Sequence, residues 1–278
     1  MKLSPTTIHF LQINRPACLA GFSGLIAVVA LAILFALQDD GMKSTADSDT
    51  LARVQLVSLP DARSSGLVPP IFIKRIDTDL STLPAAKRKQ AFIRMILPLV
   101  ARENDRIRGL RRKLDQGSAP ASLFTDYKAK AGDTSALRRR LDIIPASLVL
   151  AQAALESGWG TSRFALEGNN LFGMRTYAKD SDGIAPASAS GFKVMRFNSL
   201  AAGVAAYMRN LNTHGAYREL RAARAALRQA GKPVSGTALT NWLSRYSEIP
   251  ETYGQKLRAI IARENLVPFD KVRIGAKG

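Results

Sequence analysis

One acid in an otherwise apolar helix is the residue of this chain best suited to chemistry. Glu156 closes the run Ile144-Pro145-Ala146-Ser147-Leu148-Val149-Leu150-Ala151-Gln152-Ala153-Ala154-Leu155-Glu156-Ser157-Gly158-Trp159-Gly160. Leu148, Val149, Leu150, Ala151, Ala154 and Leu155 cover most of the helix circumference, so the helix reads as buried. Pro145 suits its first turn, and Gly158 and Gly160 end it. Gln152 lies one turn before Glu156 on the same face. The negative end of the helix dipole and the apolar neighbours both disfavour a charged carboxylate there. A carboxylic acid kept protonated near neutral pH can act as a general acid. The same Glu could instead reach water, or accept from a backbone amide, at the mouth of a core helix.

A second segment follows about a dozen residues later: Gly168-Asn169-Asn170-Leu171-Phe172-Gly173-Met174, rich in turn formers and leading into a strand. Together, Ala-Leu-Glu-Ser-Gly-Trp-Gly-Thr-Ser and Gly-Asn-Asn-Leu-Phe-Gly-Met resemble the signature of the bacterial β-N-acetylglucosaminidase domain of glycoside hydrolase family 73. The resemblance covers residues 135–270 and implies an enzyme that cleaves peptidoglycan. It also implies that Glu156 is the proton donor. Arg245-Tyr246-Ser247 followed by Tyr253-Gly254-Gln255-Lys256-Leu257 resembles the tyrosine-containing segment of that family, with Tyr246 lining the cleft opposite the acid. An alternative is that Tyr246 packs with its hydroxyl bonded to backbone.

Glycosidic cleavage protonates the leaving oxygen while positive charge grows on the sugar ring, and most such enzymes use a second carboxylate. In many members of the family a Glu in the hairpin region fills that place. This chain has no Glu between Glu167 and Glu219. Asp180 and Asp182 occupy the corresponding loop and are the candidate partners. Otherwise the substrate's own 2-acetamido group attacks the anomeric carbon. Further candidates for sugar contact are Gln152, Trp159, Asn169, Asn170, Phe172, Tyr177 and Tyr253. Trp159 also fits a core role, and the two Asn also fit a turn. His214 fits a structural hydrogen bond. No clustered metal ligands, phosphate-binding loop or serine-nucleophile motif are visible, so neither metal nor cofactor is expected.

The elements that must position these residues follow from patterning. Residues 17–37 carry no charge and are nearly all apolar, long enough to span a bilayer as a helix. Lys2 and Arg15 precede this run and Asp39 and Asp40 follow it, which points to a cytoplasmic N-terminus (residues 1–16). The expected location is the bacterial inner membrane, single-pass, with the catalytic domain in the periplasm. Residues 38–70 read as a tether ending at Pro69-Pro70. Residues 71–134 form a helical extension. Within it, Pro84 to Leu114 has helical spacing, with Pro98 expected to kink or split it. That stretch, with Leu97-Pro98-Leu99-Val100 and Glu103-Asn104, resembles the segment preceding the hydrolase domain of bacterial Bax-type proteins. Strands are expected over 172–177 and 192–197, joined by a loop. Ser199 and Thr237 are expected helix caps, and residues 271–278 a frayed basic tail.

The expected architecture is mainly helical α+β, a two-lobed lysozyme-like fold with a small β-hairpin. The expected partner is the peptidoglycan glycan strand, acted on by a monomer. The net charge is +18 over 278 residues, and all of the excess lies beyond residue 40. A basic surface suits a polyanion. Nucleic acid conflicts with an outward-facing domain. The single cysteine, Cys18, excludes an intrachain disulfide. A lytic transglycosylase and a non-catalytic wall-binding scaffold are the competing readings.

Overall fold

The structure is a computed structural model that describes residues 49–178, 180–187, 191–243 and 250–275. The expected membrane span at 17–37 lies outside these residues, as does Tyr246. Among the described residues no helix is long and apolar enough to cross a membrane.

The molecule is mainly helical with a small antiparallel sheet. In chain order the elements are α1 (Leu59–Ser65), β1 (Leu67–Val68), α2 (Ala85–Asp115), α3 (Ser122–Asp126), α4 (Thr134–Arg140), α5 (Ala146–Ser157) and α6 (Arg163–Gly168). Then come β2 (Arg175–Thr176), β3 (Gly183–Ile184), β4 (Lys193–Met195), α7 (Leu200–Thr213), α8 (Arg218–Gln229), α9 (Gly236–Leu239), α10 (Pro250–Arg263) and β5 (Arg273–Ile274).

The buried helix expected from the sequence is α5. Ten of its residues are buried, among them Leu148, Val149, Leu150, Ala151, Ala153 and Ala154. An apolar helix without a polar face can be stable only when enclosed. Three helices supply the enclosure, with α2 on one side, α10 on another and α9 at the start. Packed against α7 as well, α2 joins both halves of the core. Phe92, Met95, Ile96, Leu97 and Leu99 of α2 are fully buried.

Several expectations need correcting. Pro98 lies inside α2 without splitting it, because both flanks are held in one continuous core. Much of the expected tether is folded. Val54, Val57, Leu59 and Ala62 enter the core, and β1 pairs in parallel with β5. The expected frayed tail therefore begins with a paired strand, since Arg273 N donates to Gly66 O (2.9 Å) and Ile274 N to Asp105 Oδ2 (2.8 Å). The helical extension continues past α2 with the short helix α3. The loop between the two expected strands contributes β3, giving a sheet of order β2-β4-β3. Ser235, not Thr237, caps α9, accepting from Ala238 N (3.3 Å). Ser199 caps α7 as expected, accepting from Ala202 N (3.1 Å).

Two constraints seat the α6–sheet region and α8 on this core. Gly203 of α7 is where the loop after α6 crosses. A Cβ there would lie 2.5 Å from Asn169 O. Asp142 is buried between α4 and α5 and binds three arginines. Arg228 reaches both of its oxygens at 2.6 Å. Arg224 and Arg111 stand 3.6 and 3.8 Å away. Burial pushes the Asp142 carboxyl up, but the Arg228 hydrogen bonds and the Arg224 and Arg111 charges outweigh it. They hold the carboxyl below the ordinary range.

Gly203→Ala should cost roughly 1–3 kcal/mol, the usual penalty for overpacking, read from denaturant midpoints. Asp142→Ala should cost about 3–5 kcal/mol, because it strands the buried Arg224 charge. Since the native Asp142 pKa is depressed, its contribution is complete above an unfolded pKa of about 3.9. It is lost as pH falls through the lower native value, so acid unfolding should track Asp142.

Candidate active site

Glu156 emerges at the C-terminal end of α5, where Gly158 turns the chain away. Gly158 has φ 59° and its N–H donates to Ala154 O, as does that of Trp159 (2.9 Å). Three successive left-handed residues, Gly158, Trp159 and Gly160, make a stop that leaves the Glu156 carboxyl facing solvent. Ser157 braces this turn, donating to Ala153 O (2.6 Å) and accepting from Gly160 N (2.9 Å).

A chain of polar side chains runs from the core to the acid. Gln152 is fully buried one turn earlier. Its Oε1 accepts from the Tyr207 hydroxyl of α7, and its Nε2 donates to the Tyr253 oxygen of α10 at 2.9 Å. The Tyr253 hydroxyl in turn donates to Glu156 Oε1 at 2.8 Å. Each link needs the one before it. Gln152 occupies the Tyr253 oxygen with a donor, which turns the hydroxyl hydrogen toward Glu156. With Oε1 already accepting, the acidic proton belongs on Oε2.

Burial raises the Glu156 pKa above the ordinary carboxylate value, although the Tyr253 hydrogen bond and the charge of Arg175 both oppose the rise. The residue is exposed by surface area, yet the surrounding walls still strip part of the carboxyl's hydration. The site is an open one. Arg175 belongs to β2, so the small sheet faces the acid. Tyr217, buried at the start of α8, is a further neighbour. Burial raises its pKa, a hydrogen bond with Asn210 opposes that, and the Glu156 charge adds to it.

The other expected site residues divide sharply. Tyr253 touches Glu156, but Gln152 is enclosed and acts on the acid only through Tyr253. Asn170 is 1 % exposed and spends its amide on backbone. It donates to Met174 O and Met195 O (2.9 Å each) and accepts from Phe172 N and Met174 N (3.3 and 3.0 Å). Asn169 has φ 50° and donates to Phe197 O (2.8 Å). Both Asn therefore build the turn that starts the sheet, and Asn170 spends both N–H groups of its amide there. Phe172 is buried against Tyr207, centroids 3.8 Å apart and nearly parallel, so it is core rather than a sugar platform. Trp159 is half-buried, edge-on to Phe92 at 5.8 Å with Lys89 Nζ 5.2 Å from its ring, and pins the end of α5 to α2. Tyr177 is 73 % exposed and meets Phe192. Asp182 is open to solvent and pairs with Arg196 at 3.4 Å. Asp180 is exposed. Neither Asp is among the groups that shift Glu156. His214 Nδ1 accepts from Ala216 N (3.2 Å), a structural bond as expected.

The sequence reading missed Tyr207, Tyr217 and Arg175. Tyr207 sits on the apolar stripe of α7 and reads there as core. The available signal was Gln152, because a buried amide demands partners. A cavity of about 480 Å³ lies elsewhere, lined by residues including Ile143, Arg228 and Asp270. Asp270 accepts from Ser147 N, so that cavity flanks the opposite end of α5, about 14 Å along the axis from Glu156.

Comparison with known proteins bears on this arrangement. Residues 132–266 match the glucosaminidase family described as mannosyl-glycoprotein endo-beta-N-acetylglucosaminidase. The domain is thus of the glucosaminidase class. The chain is also 38% identical over 200 residues to Protein bax of Escherichia coli (strain K12), covering 66% of this chain and 72% of that protein. This chain belongs to the Bax-type proteins carrying a glycoside hydrolase family 73 domain. Among solved structures it is similar to the catalytic domain of the autolysin Auto from Listeria monocytogenes. That likeness has 21% identity and a TM-score of 0.40, over 76% of this chain and 97% of that one. At the level of the family, membership supports a glycosidase of the peptidoglycan-hydrolase kind.

A carbon-detected titration of the Glu156 carboxyl should give a midpoint above the ordinary glutamate value. In Tyr253→Phe the midpoint should rise further, because the lost hydroxyl favours the charged form. Arg175→Ala should move it the same way. Tyr253→Phe should also cost about 1–3 kcal/mol by leaving the buried Gln152 amide without its acceptor.

Proposed function

We propose that this domain is an endo-β-N-acetylglucosaminidase that cleaves the glycan strand of peptidoglycan, with Glu156 donating the proton to the leaving oxygen. The observation that carries this reading is the solvent-facing Glu156 carboxyl. Burial raises its pKa, and Tyr253 occupies only one of its oxygens. An acid whose pKa is raised keeps its proton to a higher pH than an ordinary carboxylate, and Oε2 stands open to deliver it. Arg175, close enough for its charge to be felt at Glu156, suits a carboxylate on the substrate. Peptidoglycan carries such carboxylates along its strand.

The second step is assigned to the substrate's 2-acetamido group. What supports this is that, among the described residues, the charge acting on Glu156 is a cation, Arg175, and not a second carboxylate. A carboxylate paired with the acid would push its pKa up by repulsion, and no described carboxylate is among the groups that shift Glu156. The same observation suits a lytic transglycosylase, which also relies on a single Glu. We further assign residues 17–37 as a single membrane span that holds the domain on the outer side of the inner membrane.

Glu156→Gln should abolish release of fragments from purified sacculi while leaving the thermal unfolding curve in place. Digests by the natural sequence should show reducing N-acetylglucosamine ends. Ends bearing 1,6-anhydromuramic acid would instead establish the transglycosylase reading. Substrate assistance predicts retention of anomeric configuration, measured by proton NMR in the first minutes of cleavage. Inversion would require a water-activating base and would rule it out. Reporter fusions at the C-terminus should be active only outside the cytoplasm.

A further inference from the structure

The strongest feature outside the catalytic cleft is a pocket lined by four arginines and no acid. It has a volume of about 200 Å³ and lies between the end of α4 and the start of α8. Its walls are Ala136, Arg139, Arg140, Arg218, Arg221 and Ala222. We propose that this pocket binds a phosphoryl group.

Four guanidinium groups around one small space repel one another unless an anion joins them. Elsewhere in this protein clustered arginines are given one. The adjoining pocket of about 200 Å³, lined by arginines including Arg111, Arg224 and Arg228, contains Asp142. No carboxylate lines the second pocket. Glu219 follows Arg218 on the first turn of α8 and is exposed, but it is not part of the lining.

Three of the four arginines are also held in place. Arg140 Nη1 donates to Tyr127 O (3.3 Å) and Thr213 O (3.1 Å). Arg221 Nη1 donates to Leu211 O (2.9 Å) and His214 O (2.8 Å). Arg139 Nη1 donates to Ser135 Oγ (2.7 Å). Carbonyl and hydroxyl oxygens orient these groups without neutralising them. For those three the ordering cost of binding is met before a ligand arrives. Each fork retains further N–H donors for an anion. Burial pushes Arg221 down to about 10, and the Arg140 and Arg218 charges add to that fall. Helix α8 starts with no side-chain cap, so the positive end of its dipole adds to the same field.

The charge selects the ligand. A carboxylate brings one negative charge to four positive ones. A phosphate monoester brings close to two, together with several acceptor oxygens in a geometry that arginine forks match in pairs. Free phosphate, a phosphate monoester and a phosphodiester lipid headgroup share this chemistry. The lining on α4 and α8 includes none of Gln152, Tyr253 and Glu156, so occupancy does not require catalysis.

Calorimetric titration of the full chain in detergent distinguishes these sources. The probes are inorganic phosphate, glycerol 1-phosphate and glycerophosphoglycerol, a lipid headgroup without its tails, with acetate as the control anion. We expect phosphate or its monoester to bind at one site and acetate to bind more weakly. Binding should fall by roughly tenfold for each arginine removed in Arg139→Gln and Arg218→Gln, both at exposed positions. Arg139→Lys/Arg218→Lys should recover part of it, since charge returns without the fork. Exclusive binding of glycerophosphoglycerol would uphold the phosphoryl site and name a lipid headgroup as its source. Equal binding of acetate, no binding of any probe, or affinity unchanged in a Gln double variant with a normal melting curve would overturn the proposal. Should that double variant unfold, the Lys pair decides in its place: phosphate affinity equal to that of the natural sequence would overturn the proposal, and an intermediate affinity would support it.

Discussion

The structure depends on satisfying one amide. Gln152 sits in the middle of a helix that is apolar on every side, and it is fully buried. An unpaired amide there would cost several kcal/mol, comparable to a large part of a domain's net stability. Its two ends are met by hydroxyls from two other helices, Tyr207 on α7 and Tyr253 on α10. Meeting that demand places α7 and α10 on α5. It also carries the Tyr253 hydroxyl past Gln152 to Glu156. Core packing and chemistry are therefore coupled through one side chain that never meets solvent.

The rest of the chain stabilises the frame around this line of contacts. The segment before the hydrolase domain is part of the same core. Long helix α2 underlies both α5 and α7, and Trp159 fastens the end of α5 to it. Segments about 200 residues apart in sequence meet in the β1–β5 pair. Lys89 of α2 bonds Glu264 beyond α10 at 2.6 Å, and Arg63 of α1 donates to the Glu264 carbonyl at 3.1 Å. These links hold α10, and with it Tyr253, against α2.

The large positive charge is distributed unevenly in consequence. Around Asp142 it is neutralised and structural, with arginines joining α2, α8 and the turn before α5. Around Arg140 and Arg221 the guanidiniums are fixed by neutral oxygens and their charge is left standing. An arginine on a core-facing position of α8 can thus be either a strut or a recognition group. Which one depends on whether a carboxylate stands within reach.

What the sequence determined by itself was local. Apolar residues around the whole circumference of 146–157 required a buried helix, and Gly158 and Gly160 required its end, so the Glu156 position at its mouth was legible. So were the N-cap of α7 and the two motifs that mark the family. The partners of Glu156 were not legible. Tyr253 stood in a motif as a sugar contact, with no sign that it would bond the acid 97 residues away, and nothing near Tyr207 or Tyr217 marks either as a polar contact. Asn169, Asn170 and Phe172 stood in a motif and read as sugar contacts, yet backbone carbonyls and Tyr207 claim them. Hydrogen-bond partners across a core are chosen by how helices pack, and that choice depends on long-range shape that no local pattern encodes.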